Sequence, residues 1–290
     1  MKHALFTGAC TALVTPFHEG KVNIPMLEKL LARQLEAGIR AVVIAGTTGE
    51  APTLSDAEKL HLFSAAKTFA GKDAIILAGT GSNDTAHAIA LSKAAEDVGA
   101  DGLLVVSPYY NKATKEGLIT HYGAIAAAVH IPVILYNVPS RTGLDIPVDV
   151  YQTLSKISNI AGIKEASNDV AKTGKVIAAC PELPVWSGND NQIVPVMAPG
   201  GLGVISVLSN VLPVQTQAMA MAALDGDFDT AAGLQSELLP LIEALFCEVS
   251  PIPVKAAMGL LGYDCGHCRL PLTPLGAKNR EILKKLLSAF

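Results

Sequence analysis

Lys164 is the residue of this sequence best placed for covalent chemistry. It lies in residues 160–167, which read IAGIKEAS, so an ammonium group stands near the end of a short apolar run typical of a buried strand. Removing an amine from water disfavours its charged form and makes the neutral, nucleophilic form available near neutral pH. Such an amine can attack a ketone and form a Schiff base. The alternative is a strand-end lysine that reaches solvent or pairs with Glu165.

The elements that must position this lysine follow a regular alternation of short apolar runs and amphipathic segments. The apolar runs predict eight strands, at residues 8–15, 41–46, 74–80, 102–108, 132–138, 160–166, 183–188 and 202–207. Apolar residues at helical spacing predict helices at residues 24–37, 55–70, 84–98, 115–129, 147–157, 169–179 and 191–197, with an eighth starting near Pro213. Eight strand–helix units predict an α/β fold, a closed (β/α)8 TIM barrel.

The residues after the eighth helix predict a C-terminal helical extension. Helical segments are expected near residues 229–245, 253–261 and 276–287. We therefore expect a barrel catalytic domain at residues 1–225 and the extension at residues 226–290. An open doubly wound sheet with a nucleotide site is the alternative fold, but the third glycine of the dinucleotide fingerprint is replaced by Asp84.

Composition indicates a small-molecule ligand. The 290 residues are 50% hydrophobic and 17% charged, with a formal net charge of -4 and no block of Lys and Arg. These properties argue against nucleic acid or an anionic membrane as the partner. No segment reaches about 18 uninterrupted apolar residues and no secretion signal is recognisable, so we expect a cytoplasmic protein.

The cysteines predict reduced thiols, not a disulfide framework. They are odd in number and stand at Cys10, Cys180, Cys247, Cys265 and Cys268. Residues 265–268 read CGHC, a spacing that can serve a redox dithiol or half of a zinc site. The proline-rich loop that follows and the lack of a second ligand pair disfavour both roles. We expect neither a metal nor a cofactor.

Polar residues close several of the apolar runs, and in a (β/α)8 barrel these ends converge on the active site. They read GTTGE at 46–50, SPYYN at 107–111, YNVPSRTG at 136–143, SGND at 187–190 and GVIS at 203–206. Hydroxyls and amides of GTTGE could hold a carboxylate, and the Arg141 guanidinium matches a second one. Taken singly, Tyr136 could be a core aromatic and the threonines could form turn hydrogen bonds. Together with Lys164 they predict a site for a small oxo-acid.

Three of these motifs resemble the dihydrodipicolinate synthase and N-acetylneuraminate lyase family, over essentially residues 6–274. They are GTTGE at 46–50, YNVP at 136–139 and GIKEA at 162–166. The SRTG and SPYYN segments resemble the synthases of the family rather than its sugar-acid lyases. The resemblance implies a lyase that condenses pyruvate with L-aspartate 4-semialdehyde through a Schiff base, giving 4-hydroxy-tetrahydrodipicolinate in the first committed step of lysine and diaminopimelate biosynthesis. The alternative is a related aldolase acting on a sugar acid such as N-acetylneuraminate or 2-keto-3-deoxygluconate.

The resemblance also implies catalytic roles. Lys164 forms the imine with pyruvate, and Tyr136, Thr47 and Tyr110 form a proton relay with Tyr136 as the general acid/base. Tyr110 is expected to enter from a neighbouring subunit of a homotetramer built as a dimer of dimers.

Substrate binding is implied for four further residues. Thr48 and the Ile205 main chain are expected to hold the pyruvate carboxylate, and Gly188 to line the pocket. Arg141 is expected to orient the carboxylate of the second substrate.

Feedback by lysine is expected to be weak or absent. Lysine-responsive relatives place a histidine and a glutamate where this chain has Lys59 and His87, although Asn83 and Tyr109 remain. Exchanging these side chains removes attraction for the ammonium groups of lysine.

Overall fold

The computed structural model describes residues 3–290 and contains a closed barrel of eight parallel strands. The strands in chain order, including a small hairpin, are β1 (Gly8–Ala12), β2 (Phe17–His18), β3 (Lys21–Val22), β4 (Ala41–Ile44), β5 (Ile75–Gly79), β6 (Gly102–Val106), β7 (Val133–Asn137), β8 (Ile160–Glu165), β9 (Val185–Ser187) and β10 (Gly203–Ser206). Around the barrel the order is β1-β10-β9-β8-β7-β6-β5-β4, and β1 closes it by pairing with β4. The predicted TIM barrel is confirmed.

Helices connect the barrel strands and form the C-terminal extension. They are α1 (Ile24–Glu36), α2 (Asp56–Ala70), α3 (Thr85–Asp97), α4 (Lys115–Ala127), α5 (Pro139–Thr142), α6 (Val148–Leu154), α7 (Val170–Ala179), α8 (Ile193–Met197), α9 (Pro213–Leu224), α10 (Phe228–Ala244), α11 (Ile252–Leu260) and α12 (Ala277–Leu287). The predicted helices are present, most of them with slightly shorter bounds, while α10 and α11 begin and end one residue earlier than predicted. The hairpin β2–β3 and the short α5 were not predicted. None of the helices in residues 3–290 is long and apolar enough to cross a bilayer.

Local sequence explains where the helices begin. Side chains of Asn23, Ser55, Asp84 and Asp169 accept hydrogen bonds from backbone N–H groups in the first turns of α1, α2, α3 and α7. At α2 the cap is reciprocal, because the Glu58 side chain also binds the Ser55 backbone. These caps satisfy N–H groups that have no partner within the helix.

The barrel interior is a packed core that closes the end of the barrel opposite the functional loops. Phe6, just before β1, stacks on Trp186 of β9 with ring centroids 4.5 Å apart. Gly162 makes room for this indole, since a Cβ there would lie 2.4 Å from a ring carbon of Trp186. Buried residues of the strands fill the remaining space. The barrel therefore has one open end for a ligand, at the carboxyl ends of the strands.

The extension packs against the last barrel helices and reaches back to the first loops. Helix α10 contacts α8, α9 and α12, and α11 contacts α12. The turn that contains Gly226 separates α9 from α10, at the predicted boundary between residues 1–225 and 226–290. That division into domains stays a prediction. Lys255 of α11 forms a buried ion pair with Glu50, in the loop after β4.

Candidate active site

Residues at the carboxyl ends of the strands surround a cavity of about 390 Å³. Its wall includes six residues predicted from the sequence: Thr47, Thr48, Tyr136, Arg141, Lys164 and Gly188. Ile205 of β10 is fully buried, with its side chain in the barrel interior. Tyr110 is 90% exposed and is not among the described residues that line the cavity.

Lys164 lies on β8 with 5% of its surface exposed. The parallel register places it level with Tyr136 of β7 and Trp186 of β9. Its Nζ is 4.3 Å from the centroid of the Tyr136 ring. Within residues 3–290 no carboxylate is at ion-pair distance from this amine. A buried amine without a paired carboxylate, facing a cavity, is suited to nucleophilic attack.

Glu165 does not pair with the neighbouring lysine, so that alternative is wrong. One oxygen of Glu165 accepts hydrogen bonds from Asn137 Nδ2 at 2.8 Å and from the Ser167 backbone N–H at 2.9 Å. The other oxygen accepts a hydrogen bond from the Tyr151 hydroxyl at 3.2 Å. Because successive side chains of a strand point to opposite faces, Glu165 faces the helices while Lys164 faces the barrel mouth.

Gly188 keeps space open for the lysine side chain. A Cβ at this position would lie 3.1 Å from Lys164 Cε and 2.6 Å from Ala166 Cβ. The second contact is shorter than real Cβ atoms tolerate, so a side chain here would displace the end of β8. Gly188 therefore lines the cavity through its backbone.

The loop of residues 46–50 holds the two threonines at the cavity. The Glu50 backbone N–H donates to the Thr47 carbonyl at 3.1 Å, and Glu50 itself has φ 58, in the left-handed region. The Glu50 carboxylate is buried against Lys255, 2.8 Å from its Nζ, and accepts the Arg269 backbone N–H at 2.8 Å. This buried ion pair holds the strained turn at Glu50 in place, and the turn in turn positions the hydroxyls of Thr47 and Thr48.

Arg141 stands at the rim of the cavity, on the short helix α5. Its Nη2 donates a hydrogen bond to the Ser250 carbonyl at 3.2 Å. Ser250 and Phe246 belong to the segment after α10 and also line the cavity. The guanidinium keeps free donors, so it can bind a carboxylate that enters the cavity from solvent.

Comparison with known proteins assigns the chain to a family. The Dihydrodipicolinate synthetase family profile matches residues 5–290. The chain belongs to this family. It is 48% identical to the 4-hydroxy-tetrahydrodipicolinate synthase of Acetivibrio thermocellus, covering 100% of this chain and 99% of the relative. It is 50% identical to the protein of that name in Caldicellulosiruptor saccharolyticus, covering 98% and 96% of the two chains.

Solved structures support the same assignment. The fold is similar to that of the 4-hydroxy-tetrahydrodipicolinate synthase of Methylacidiphilum fumariolicum SolV, with a TM-score of 0.95 and 44% sequence identity. The match covers 98% of this chain and 95% of that one. The family resemblance predicted from the sequence is confirmed.

A second cavity, of about 580 Å³, shares Thr47, Tyr136, Val138 and Arg141 with the first. Its wall also includes Lys59 and His87, the two residues considered for lysine regulation. Asp56 lies between them: its Oδ1 is 3.3 Å from Lys59 Nζ and its Oδ2 is 2.8 Å from His87 Nε2. Partial burial opposes ionisation of Asp56, but His87 and Lys59 lower its pKa overall. No sequence pattern had indicated this carboxylate. Since Lys59 and His87 already contact both of its oxygens, we expect Asp56 to add little attraction for lysine.

The CGHC segment does not have the properties of a redox pair. Burial raises the pKa of Cys265 to about 11 and that of Cys268 to about 12, so both remain protonated thiols at neutral pH. In the part of the chain that the structure describes, no group of three or more His, Cys, Asp or Glu side chains is arranged to hold a metal ion.

Several residues of the cavity wall were not predicted as site residues from the sequence. They are Asn168, Asn189, Asp190, Asn191, Ile242, Glu243, Phe246 and Ser250, besides apolar and hydroxyl neighbours. Asp190 closes the SGND run and was noted only as a polar strand end. The residues from 242 onward come from the extension, and no local pattern in the sequence indicates that this segment covers the barrel mouth.

Proposed function

We propose that this chain catalyses the condensation of pyruvate with L-aspartate 4-semialdehyde, using Lys164 as the Schiff-base nucleophile. The observation that carries the proposal is a buried lysine in the cavity wall, without an ion-pairing carboxylate among the described residues and in contact with a tyrosine ring. The relatives named 4-hydroxy-tetrahydrodipicolinate synthase, similar over nearly the whole chain, support it.

The first half-reaction prepares pyruvate as a nucleophile. The neutral Lys164 amine attacks the pyruvate ketone, and the carbinolamine loses water to give a cationic imine. This imine acts as an electron sink, so the methyl group loses a proton and becomes the carbon nucleophile of an enamine. Thr48 and the Ile205 main chain are proposed to hold the pyruvate carboxylate.

The second half-reaction consumes the aldehyde. The enamine carbon attacks the aldehyde carbon of the semialdehyde, a new C–C bond forms, and the alkoxide takes up a proton. The amino group of the semialdehyde then attacks the imine carbon and releases the Lys164 amine, which gives the cyclic product. Arg141 is proposed to bind the carboxylate of the semialdehyde, because its guanidinium stands at the rim where this substrate enters.

Proton transfer is proposed to involve Tyr136, Thr47 and Tyr110. Tyr136 and Thr47 line the same cavity as Lys164. Tyr110 is 90% exposed, with φ 72, and so presents its ring to the outside of this chain. We therefore propose that Tyr110 completes the relay of a neighbouring subunit in a homotetramer. A cytoplasmic location stays a prediction from the sequence.

The test is a steady-state assay that compares the condensation of pyruvate and L-aspartate 4-semialdehyde with the cleavage of two sugar acids. Purified protein is expected to turn over pyruvate with L-aspartate 4-semialdehyde, and to cleave N-acetylneuraminate or 2-keto-3-deoxygluconate poorly. Lys164→Arg is the matched control and should be inactive, since a guanidinium stays protonated and cannot attack a ketone. Preferential cleavage of a sugar acid would reverse the substrate assignment.

A further inference from the structure

Asp190 is a buried carboxylate of the cavity wall that has no part in the mechanism above. It begins a 3-10 turn after β9 and is 2% exposed. Its Oδ2 accepts hydrogen bonds from the backbone N–H groups of Val207 at 3.0 Å and Leu208 at 2.9 Å. Its Oδ1 is buried and has no hydrogen-bond partner among the residues described. A buried anion left in this state is costly unless a nearby cation compensates it.

The hydrogen bonds of Asp190 join two loops at the barrel mouth. Val207 and Leu208 directly follow β10, the strand that carries Ile205. On its other side, the Asp190 carbonyl accepts a hydrogen bond from Gln235 Nε2 of α10 at 2.9 Å. Asp190 is therefore held by the extension while it fixes the exit of β10, where the pyruvate carboxylate is proposed to bind.

The other titratable groups around Lys164 do not supply a counter-charge. The thiol of Cys10 on β1 interacts electrostatically with Lys164, but burial raises its pKa, so it stays neutral. Tyr136 of β7 offers its ring face. Glu165 of β8 is bound on the helix side of the strand.

Two further charged groups line the cavity and both stand at its outer part. Arg141 and Glu243 are exposed to solvent. Water screens their charges far more than that of a group in the interior. Among the described residues of the wall, Asp190 is thus the buried carboxylate that shares the cavity with Lys164.

We infer that Asp190 is a positioning residue for the Lys164 chemistry: its Oδ2 holds the exit of β10, and the charge of its free oxygen stabilises the cationic imine formed on Lys164. This inference rests on the proposed function. Burial raises the pKa of Asp190, whereas hydrogen bonding from Ser206 and from the backbone N–H groups of Leu208 and Val207, and the nearby positive charge on Lys164, act in the opposite direction. A positive charge at position 164 therefore favours the ionised form of Asp190. The imine stays cationic, and therefore remains an electron sink, to a higher pH than it would without this carboxylate.

The test measures imine formation against pH. Asp190→Asn keeps an oxygen for the two backbone N–H groups and removes the charge. Imine formed with pyruvate is trapped with cyanoborohydride and counted by mass spectrometry in wild type and variant. We expect the alkaline limb of the profile to move down by about one pH unit, so that about tenfold less imine is trapped on that limb. Gln235→Ala is the matched control, because it loosens the same turn and keeps the charge.

Each outcome decides the inference. It is supported if Asp190→Asn shifts the profile while Gln235→Ala keeps the wild-type profile. It is overturned if Asp190→Asn traps imine as wild type does, or if Gln235→Ala causes the same shift. Should Asp190→Asn fail to fold, Asp190→Ser gives the same comparison with a smaller uncharged side chain. Absence of trapping in the wild type contradicts the proposed function itself and is thereby distinguished from failure of this inference.

Discussion

The buried ion pair between Glu50 and Lys255 gives a quantitative prediction, because it joins the threonine loop to the C-terminal extension. Its atoms are 2.8 Å apart, and the side chains of Lys255 and Glu50 are 2% and 1% exposed. Lys255 also donates to the His267 carbonyl at 3.2 Å and lies 4.3 Å from the centroid of the Phe17 ring. Removing one partner from such a pair leaves an uncompensated buried charge.

Lys255→Met should therefore destabilise the protein by about 3 to 5 kcal/mol. Glu50→Gln together with Lys255→Met removes both charges and should recover most of this loss, because the double variant no longer leaves an uncompensated buried charge. The single variant should also raise KM for pyruvate, since the loop that carries Thr47 and Thr48 loses its anchor.

The assay is urea denaturation at one fixed protein concentration, since oligomerisation makes apparent stability depend on concentration. The four proteins of the double-mutant cycle are compared, and pyruvate kinetics are measured on each. A loss of unfolding free energy below about 1 kcal/mol for Lys255→Met would refute the reasoning, because solvent-exposed ion pairs contribute no more than that. A double variant no more stable than Lys255→Met would also contradict it.

Three further predictions concern the substrate, regulation and pH. Arg141→Ala should lower kcat/KM for the semialdehyde about tenfold to a hundredfold while imine trapping with pyruvate persists, and loss of trapping would contradict separate carboxylate sites. Wild-type activity should be nearly unchanged in millimolar L-lysine, and His87→Glu combined with Lys59→His should restore some sensitivity to lysine. Inhibition of the wild type by sub-millimolar lysine would contradict this prediction. Arg269 lowers the pKa of Glu58 to about 2. The stability that the Glu58 carboxylate contributes is therefore present above its ordinary pKa and is lost as pH falls toward about 2. The melting temperatures of Glu58→Gln and wild type should accordingly differ at neutral pH and converge in acid.

The barrel was predictable because its strands are buried on both faces and its helices are amphipathic. Strands of this kind leave short apolar runs, and the runs alternate with helical periodicity along the chain. The hairpin β2–β3 was missed because strands of two residues show no periodicity. Helix α5 was missed because its four residues, which begin at Pro139, read as a loop after β7.

The site was predictable where one residue type conflicted with its surroundings. Lys164 interrupts an apolar strand, and the polar ends of neighbouring strands converge by the geometry of the fold. Asp190 was not singled out, because an aspartate after a strand is typical of a turn, and its burial depends on Val207, 17 positions away. Lys255 and Glu50 are separated by 205 positions, so no local pattern relates them.

The most direct test of the account is the identity of the amine that reacts with pyruvate. Protein incubated with pyruvate and borohydride should carry one reduced pyruvyl group per chain, on the peptide that contains Lys164, and should lose activity. Lys164→Arg should remain unlabelled under the same conditions. Labelling of another lysine, or full activity with Lys164 unmodified, would contradict the Schiff-base mechanism.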